Sequence, residues 1–178
     1  GRTKWHKWVV ENKQWEKLMQ GHLASISYVD HQLGRLLDAL DASPMKDNTI
    51  IVLWSDHGFH IGEKENWEKF ALWDQTTRVP LFIHAPGISK DGMKTRQPAT
   101  LTDLYPTLCE LAQLPIPKQC DGNSLVPQLK NPKADLGRLS LTSFQFRREK
   151  ISSHAVSDTR YRYVQYGNGF EDLYDLKK

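Results

Sequence analysis

Two adjacent side chains of metal-binding type, Asp56 and His57, follow directly on an apolar run at residues 49–54. A run of this length is typical of a strand buried on both faces, as in a parallel sheet covered by helices. Ligands of such sheets bind just beyond the carboxyl ends of the strands, where these two residues would lie. A carboxylate beside an imidazole favours Zn²⁺ or Mn²⁺ over Ca²⁺, which prefers oxygen. A plain turn, in which Asp56 caps a backbone N–H and His57 is merely exposed, also fits the pattern.

Further candidates near this turn have a weaker basis. His60 lies three residues after His57 and could be a second ligand or a substrate contact, although a loop histidine bonded to backbone explains it more simply. Lys69 could approach an anionic substrate as a point charge, but a lysine in a charged segment is usually just solvated. Trp67, with Phe59, is a candidate for lining a substrate pocket.

No nucleophile stands out in the sequence. Cys109 falls in an apolar helical pattern, where a core thiol is expected rather than a reactive one. Ser55 and Ser124 lack the Gly-x-Ser-x-Gly elbow, and no P-loop or dinucleotide fingerprint occurs. The sequence leaves two alternatives for Cys109 and Cys120: they form a disulfide, or both are free thiols. The residues alone therefore predict a metal site on an α/β sheet.

The composition is that of a globular protein and excludes two classes of partner. Of 178 residues, 39% are hydrophobic and 25% charged, enough for one domain with a core. With 24 basic and 21 acidic residues, the charge is too even to imply nucleic acid. No apolar run approaches the roughly 20 residues of a transmembrane segment. Because the chain starts at Gly1 without a methionine or a signal-peptide pattern, we expect it to be part of a longer protein.

The elements that must position these residues follow from hydrophobic periodicity. Apolar residues at three- and four-residue spacing predict a helix from residue 15 to about 40, which feeds the strand at 49–54 as half of an α/β repeat. The sequence further predicts an irregular first dozen residues, a short helix or ordered loop at 66–74, a second core strand at 78–87, and a helix from an N-cap at Thr102 to Leu114 with Leu104, Leu108, Leu111 and Ala112 facing inward.

From about residue 138 the pattern changes from helical to alternating. Turn signals at residues 158–159 and 167–169 separate short runs of alternating polarity. These runs predict a small antiparallel sheet added after the α/β part. We therefore divide the chain into residues 1–137, part of an α/β core, and residues 138–178, a small antiparallel β subdomain.

Six motifs, in this order, resemble the carboxyl-terminal part of the type I sulfatase family. Within that family, the chain is most similar to iduronate-2-sulfatase-like bacterial enzymes. One motif contains the Ser-Asp-His-Gly stretch discussed above, and the resemblance covers nearly the whole chain from Trp15 onward. The motifs lie at residues 23–40, 55–63, 79–81 with 85–87, 102–112, 122–125 and 172–176.

The resemblance implies an α/β fold, the C-terminal part of an alkaline-phosphatase-like α/β/α sandwich, followed by a small antiparallel sheet. It implies that Asp56 and His57 match a late pair of Ca²⁺ ligands and that Lys69 matches a lysine that contacts sulfate. The implied reaction is hydrolysis of sulfate monoesters of sulfated sugars by a formylglycine, which the family makes in a Cys-x-Pro-x-Arg signature. The implied location is periplasmic, secreted or lysosomal-type.

The sequence departs from the family in having no Cys-x-Pro-x-Arg or Ser-x-Pro-x-Arg signature. We therefore expect the nucleophile and the other metal ligands upstream, with this chain alone inactive and binding Ca²⁺ weakly at best. Missing upstream strands would also leave a core face exposed, so self-association is expected. Two alternatives stay open: a phosphatase, phosphodiesterase or phosphonate hydrolase of the same superfamily, and a non-catalytic module of that fold.

Overall fold

The computed structural model describes residues 4–145 and 151–177 of the chain. The helices are α1 (Lys4–Glu11), α2 (Trp15–Asp41), α3 (Asp74–Thr77), α4 (Leu104–Leu111) and α5 (Val126–Lys130). The strands are β1 (Ile51–Trp54), β2 (His60–Ile61), β3 (Trp67–Glu68), β4 (Leu81–His84), β5 (Ser140–Phe144), β6 (Ser153–Ser157), β7 (Tyr161–Gln165) and β8 (Glu171–Asp175). Within the described residues the strands form antiparallel sheets of order β1–β4, β2–β3 and β5–β6–β7–β8.

The amino-terminal segment is helical, so the prediction of an irregular first dozen residues is wrong for the described part. His6 and Val9 lie three residues apart in α1 and are both buried. Trp5 and Trp8 lie on the exposed side of the helix, which hides its amphipathic pattern in the sequence. Lys13, in the left-handed region at φ 53°, then turns the chain into α2.

The long helix predicted from residue 15 to about 40 is confirmed as α2. None of the residues of α2 is buried by the described part of the chain; Leu23 and Leu36 are 56% and 67% exposed. Such an apolar stripe indicates a surface that packs against something else. Self-association through this face stays a prediction. Neither α2 nor another described helix is apolar enough over its length to cross a bilayer.

The strand predicted at 49–54 forms as β1, but in a different setting. The apolar run predicts burial on both faces in a parallel sheet. β1 instead pairs antiparallel with β4, with Ile51 opposite His84 and Trp54 opposite Leu81. Its residues are half-buried, and Trp54 is exposed. An apolar run shows that both faces of a strand can be buried, but it carries no information about the direction of the neighbouring strand.

The second predicted strand, at 78–87, is confirmed as β4. It is closed by a turn in which Gly87 adopts the left-handed region at φ 73°. The segment predicted at 66–74 as a short helix or ordered loop contains β3 and an irregular loop, and α3 begins only at its end.

The helix predicted from Thr102 to Leu114 is shorter and begins differently. Thr100, rather than Thr102, caps the turn that leads into α4: its side chain accepts from the backbone of Asp103, and its own N–H donates to Asp103 Oδ2 at 2.8 Å. This reciprocal arrangement is a capping box. The helix ends at Leu111.

The inner face of α4 is narrower than predicted. Leu111 is buried and Leu104 half-buried, whereas Leu108 and Ala112 are exposed. Leu111 belongs to a core cluster that lies between the end of β4, α4 and α5. The cluster consists of Ala85, Leu111 and Val126, with Ile83, Ile88 and Leu129 packed against them.

Cys109 is buried in α4, and Cys120 is half-buried in the loop that follows. Both are free thiols in the structure, which answers the question that their spacing left open.

The small antiparallel sheet predicted after residue 138 is confirmed by β5 to β8. Strand alternation in β7 buries Arg162 and Val164 on the same face. Val164 packs with Ala155 of β6 against Leu72, which lies in the loop before α3. The division of the chain into domains at residue 138 stays a prediction.

The ion pair of Asp103 and Arg138 predicts the largest stability effect in the α4 region. Both side chains are nearly buried, and Asp103 also accepts the backbone N–H groups of Thr100 and Asn123, each at 2.8 Å. Asp103→Ala would remove the only carboxylate partner that the described residues give the mostly buried Arg138 guanidinium, whose Nε keeps its bond to the Pro98 carbonyl, and would leave two N–H groups without their acceptor. We expect the free energy of unfolding to fall by about 3 to 5 kcal/mol, measured by urea denaturation.

The exposed pair of Arg78 and Asp74 provides a control. Arg78→Ala breaks an ion pair in which the arginine side chain is 81% exposed, so the loss should stay within about 1 kcal/mol. Equal losses in the two variants would contradict the role given to Asp103.

Candidate functional site

The turn after β1 is shaped by bonds between its own residues and one bond to α3. Ser55 Oγ donates to the His57 carbonyl at 2.8 Å, and the His57 N–H donates to Asp56 Oδ1 at 3.0 Å. The N–H of Gly58 donates to the Thr76 carbonyl at 2.9 Å. These bonds present Asp56 and His57 side by side beyond the end of the strand, as the sequence predicts.

Gly58 is required here because two backbones touch. A Cβ built at this position would lie 2.0 Å from the carbonyl oxygen of Gln75 and 3.1 Å from the Cα of Thr76. The turn therefore packs directly on the backbone of α3. Glycine is the residue that allows such a close approach.

The imidazole of His57 is held by one contact at each of its two ring nitrogens. Nδ1 lies 2.8 Å from the Gly58 carbonyl oxygen, which can only accept, so Nδ1 carries the proton in the neutral ring. Nε2 then bears the lone pair and accepts from Lys69 Nζ at 2.9 Å. Asp56 Oδ2 lies 3.7 Å from the same Nε2. The structure thus brings together Asp56, His57 and Lys69, three of the residues singled out in the sequence.

These residues fit part of a metal site. The Asp56 carboxylate is 80% exposed and the His57 side chain 34% exposed, so oxygen and Nε2 face an open surface. A histidine that gives its other N–H to a backbone carbonyl is held in the orientation typical of a metal ligand. Within residues 4–145 and 151–177, no group of three His, Cys, Asp or Glu side chains could hold a metal. Asp56 and His57 therefore amount to two ligands of a set that the described residues do not complete.

His60 is placed inside the protein rather than at this surface. Its side chain is fully buried, with its ring edge-on to Trp73 at 5.4 Å between centroids. Neither ring nitrogen has a hydrogen-bond partner among the described residues; the nearest acidic oxygen, Glu63 Oε2, lies 3.6 Å from Nδ1. Burial lowers the pKa of His60, against the opposing effect of Glu63. No exposed atom is offered to a substrate, and the predicted substrate contact stays a prediction.

Trp67 is half-buried in an aromatic cluster that joins residues 58–73 (the site loop) to the amino-terminal helices α1 and α2. Its Nε1 donates to His6 Nδ1 at 3.4 Å, and its ring meets the edge of Trp15 at 5.6 Å. Trp15 in turn covers Gly62, where a Cβ would lie 2.2 Å from the indole and φ is +113°. The cluster explains Trp67 structurally, and its predicted place in a substrate pocket stays a prediction.

Sequence reasoning missed the contacts that hold the loop between Lys69 and α3. Arg162 donates to the carbonyl of Leu72 from Nε at 3.0 Å and from Nη2 at 2.6 Å. Trp73 Nε1 donates to the hydroxyl of Tyr166 at 3.2 Å. Strand alternation places Arg162 on the buried face of β7, but no local signal identifies a partner 90 residues away.

Comparison with known proteins identifies the family of the chain. The family model described as Sulfatase matches residues 4–114, and the one described as N-sulphoglucosamine sulphohydrolase, C-terminal, matches residues 62–178. A sulfatase from Formosa agariphila is 40% identical over 169 residues, covering 95% of this chain and 32% of that protein. Human iduronate 2-sulfatase is 33% identical over 155 residues, covering 74% and 28%. The chain belongs to the sulfatase family and spans about a third of the length of these relatives.

Solved structures confirm the alkaline-phosphatase-like α/β fold. A protein solved in complex with its substrate D-glucosamine-2-N,6-O-disulfate superposes with a TM-score of 0.84 at 27% identity, covering 92% of this chain and 35% of that one. The phosphonate monoester hydrolase of Silicibacter pomeroyi superposes with a TM-score of 0.75 at 26% identity, covering 84% and 33%.

Gly58→Ala should separate the turn from α3. The added methyl group would overlap the Gln75 carbonyl, a backbone atom that cannot rotate away. We expect the His57–Lys69 contact to be lost, seen as a change in the His57 side-chain ¹⁵N shifts. Gly92→Ala, where a Cβ meets nothing within 4 Å but φ is +68°, is the control. It should cost about 1 kcal/mol of stability without moving the His57 signals.

The buried His60 predicts an acid-dependent loss of stability. Because burial lowers its pKa in the folded protein, the unfolded chain takes up a proton near pH 6.5 while the folded chain does not. Stability from this residue is therefore complete above about pH 7 and falls as the pH drops below about 6.5. His60→Phe removes this contribution. Urea denaturation of both proteins between pH 8 and 5 should show the wild type losing ground to the variant; a constant difference would contradict the assignment.

Proposed function

We propose that this chain forms part of the active site of a hydrolase that cleaves sulfate monoesters of sulfated sugars. The observation that carries the proposal is the 2.9 Å contact between Lys69 Nζ and His57 Nε2. It brings a cation and a pair of metal-ligand side chains to one exposed place at the end of a strand. Membership of the sulfatase family supports this reading, as does a structural neighbour solved with a sulfated glucosamine.

In the proposed site, Asp56 and His57 hold Ca²⁺, with the Asp56 carboxylate and the His57 Nε2 lone pair as ligands. The bound ion would neutralise charge on the sulfate oxygens. The bond from Nδ1 to the Gly58 carbonyl keeps the lone pair directed outward. Once the lone pair serves as a ligand, Lys69 loses its present acceptor. Its ammonium group is then available to a sulfate oxygen as a point charge.

The nucleophile of the proposed reaction is a formylglycine outside these 178 residues. The sequence contains neither Cys-x-Pro-x-Arg nor Ser-x-Pro-x-Arg: Cys109 is followed by Glu110-Leu111, and Cys120 by Asp121-Gly122. We therefore propose that the chain alone does not turn over sulfate esters. On the family alone, we propose a periplasmic, secreted or lysosomal-type location for the protein in which it acts.

A second candidate is hydrolysis of phosphonate or phosphate esters, favoured by the likeness to a phosphonate monoester hydrolase. Both kinds of substrate present a tetrahedral anion that a lysine and a metal ion can bind. A protein that comprises this chain together with the catalytic nucleophile should cleave an aryl sulfate faster than an aryl phosphonate. The opposite ranking would favour the second candidate, and no turnover of either would favour a non-catalytic module.

Metal binding to the chain itself tests the ligand assignment. Titration with Ca²⁺, followed by NMR, should shift the backbone amides of His57 and Gly58 with a Kd on the order of 1 mM or weaker, because two ligands make an incomplete site. Asp56→Asn should weaken this binding at least tenfold. The matched control is Asp121→Asn, which alters an exposed loop carboxylate and should bind as the wild type does.

Two outcomes would contradict the proposal. Unchanged Ca²⁺ shifts in Asp56→Asn would remove the ligand role of the carboxylate. Turnover of an aryl sulfate by the purified chain would show that the nucleophile lies within these residues.

A further inference from the structure

Arg162 makes three directed bonds in the interior between β7 and the site loop. Its side chain is buried beside Val164, and Nε and Nη2 both donate to the Leu72 carbonyl. Nη1 donates to Ser157 Oγ on the neighbouring strand at 2.7 Å. Burial lowers the pKa of Arg162, which reflects the cost of removing a guanidinium from water.

The carbonyl that Arg162 holds lies between the two parts of the candidate site. Lys69 precedes Leu72 by three residues, and Thr76 follows it by four. The Thr76 carbonyl accepts the Gly58 N–H, and its Oγ1 donates to the Ala71 carbonyl at 2.9 Å. Leu72 is therefore linked on one side to the lysine and on the other to the turn that carries the ligand pair.

Neighbouring contacts dock the same segment on the small sheet. Trp73 Nε1 donates to Tyr166, whose hydroxyl donates to Asp172 Oδ2 at 3.0 Å. Burial, and then the bond to Asp172, raise the pKa of Tyr166 to about 12. Lys64 Nζ lies 4.5 Å from the ring centroids of both Trp73 and Tyr174. The loop before α3 is thus fixed against β7 and β8 by polar groups with defined directions.

We propose that Arg162 is a positioning residue, which sets the place of the Lys69 ammonium relative to His57 through the Leu72 carbonyl. The proposal rests on the proposed function, because it gives that site a further residue. Arg162 itself touches neither the ligand pair nor the lysine. Its action is to hold an irregular segment, which is neither helix nor strand and has only a few internal bonds such as that from the Ala71 N–H to the Lys69 carbonyl, at one distance from the turn after β1.

Stability alone does not explain a charged residue at this position. An apolar side chain could fill the same space without the cost of removing a guanidinium from water, although it would leave the Leu72 carbonyl without its donors. An apolar side chain cannot, however, fix the direction of a carbonyl group. Nε and Nη2 of the planar guanidinium converge on one carbonyl oxygen and so fix both its distance and its direction.

The test reads the His57 side chain by ¹⁵N NMR in the full 178-residue chain, with its signals assigned by loss in His57→Gln. Lys69→Met defines the Nε2 shift without the lysine donor. Arg162→Met should move the Nε2 signal most of the way to that value. Arg162→Lys, which can make one bond to the Leu72 carbonyl, should restore part of the wild-type shift.

Two matched variants separate positioning from general destabilisation. Arg138→Met removes another mostly buried arginine. Its partner Asp103 lies just before α4 and outside the candidate site, so this variant should leave the His57 signals at their wild-type values. Ser157→Ala removes only the hydroxyl that holds Nη1. It is a mild change that keeps the fold, and it should move Nε2 in the direction of Arg162→Met by a smaller amount.

Three outcomes would contradict either the positioning role of Arg162 or the proposed function. Wild-type Nε2 shifts in folded Ser157→Ala and Arg162→Lys, and in Arg162→Met if it folds, would overturn the positioning role while leaving the proposed function standing. An equal shift in Arg138→Met that has kept its fold would overturn it as well. If Lys69→Met leaves Nε2 unchanged, the contact on which the proposed function rests is itself wrong.

Discussion

The contact between Gly58 and the backbone of α3 is the constraint on which the site depends. Without a Cβ, Gly58 can place its N–H against the Thr76 carbonyl and lie against Gln75. This contact fixes the turn that carries Asp56 and His57 relative to the segment that carries Lys69. A wider separation of the two backbones would lengthen the His57–Lys69 bond, and hydrogen bonds weaken steeply beyond their normal distance.

The part of the site that follows a simple rule could be predicted from the sequence. Asp56 and His57 lie beyond the end of a strand because the apolar run before them ends there. The proximity of Lys69 to His57 came only from the family resemblance, since the eleven intervening residues include a left-handed turn and irregular loop. The prediction that β1 lies in a parallel sheet was wrong for a related reason. The hydrophobic pattern indicates which residues are buried, whereas the direction of the neighbouring strand depends on the tertiary fold.

The small sheet is joined to the site loop by polar interactions as well as by its apolar core. Leu72, Ala155 and Val164 supply the buried apolar contact. Arg162 and the Tyr166–Asp172 pair add bonds whose directions are fixed. Buried polar groups cost free energy unless each is paired, so such a network favours one arrangement strongly over its near alternatives. Alternation in β7 indicated that Arg162 is inward-facing, but its partner depends on the tertiary fold.

The reversal between β2 and β3 has a thermodynamic consequence of its own. Lys64, Glu65 and Glu68 all adopt positive φ, with Gly62 beside them at 113°. For residues with a side chain this conformation costs about 1 kcal/mol or more each. That cost is recovered when the segment opens, so the amides of this reversal should exchange with solvent through local opening rather than global unfolding. The part of the chain that directly precedes Lys69 is thus also the part whose order a bound ligand could change most.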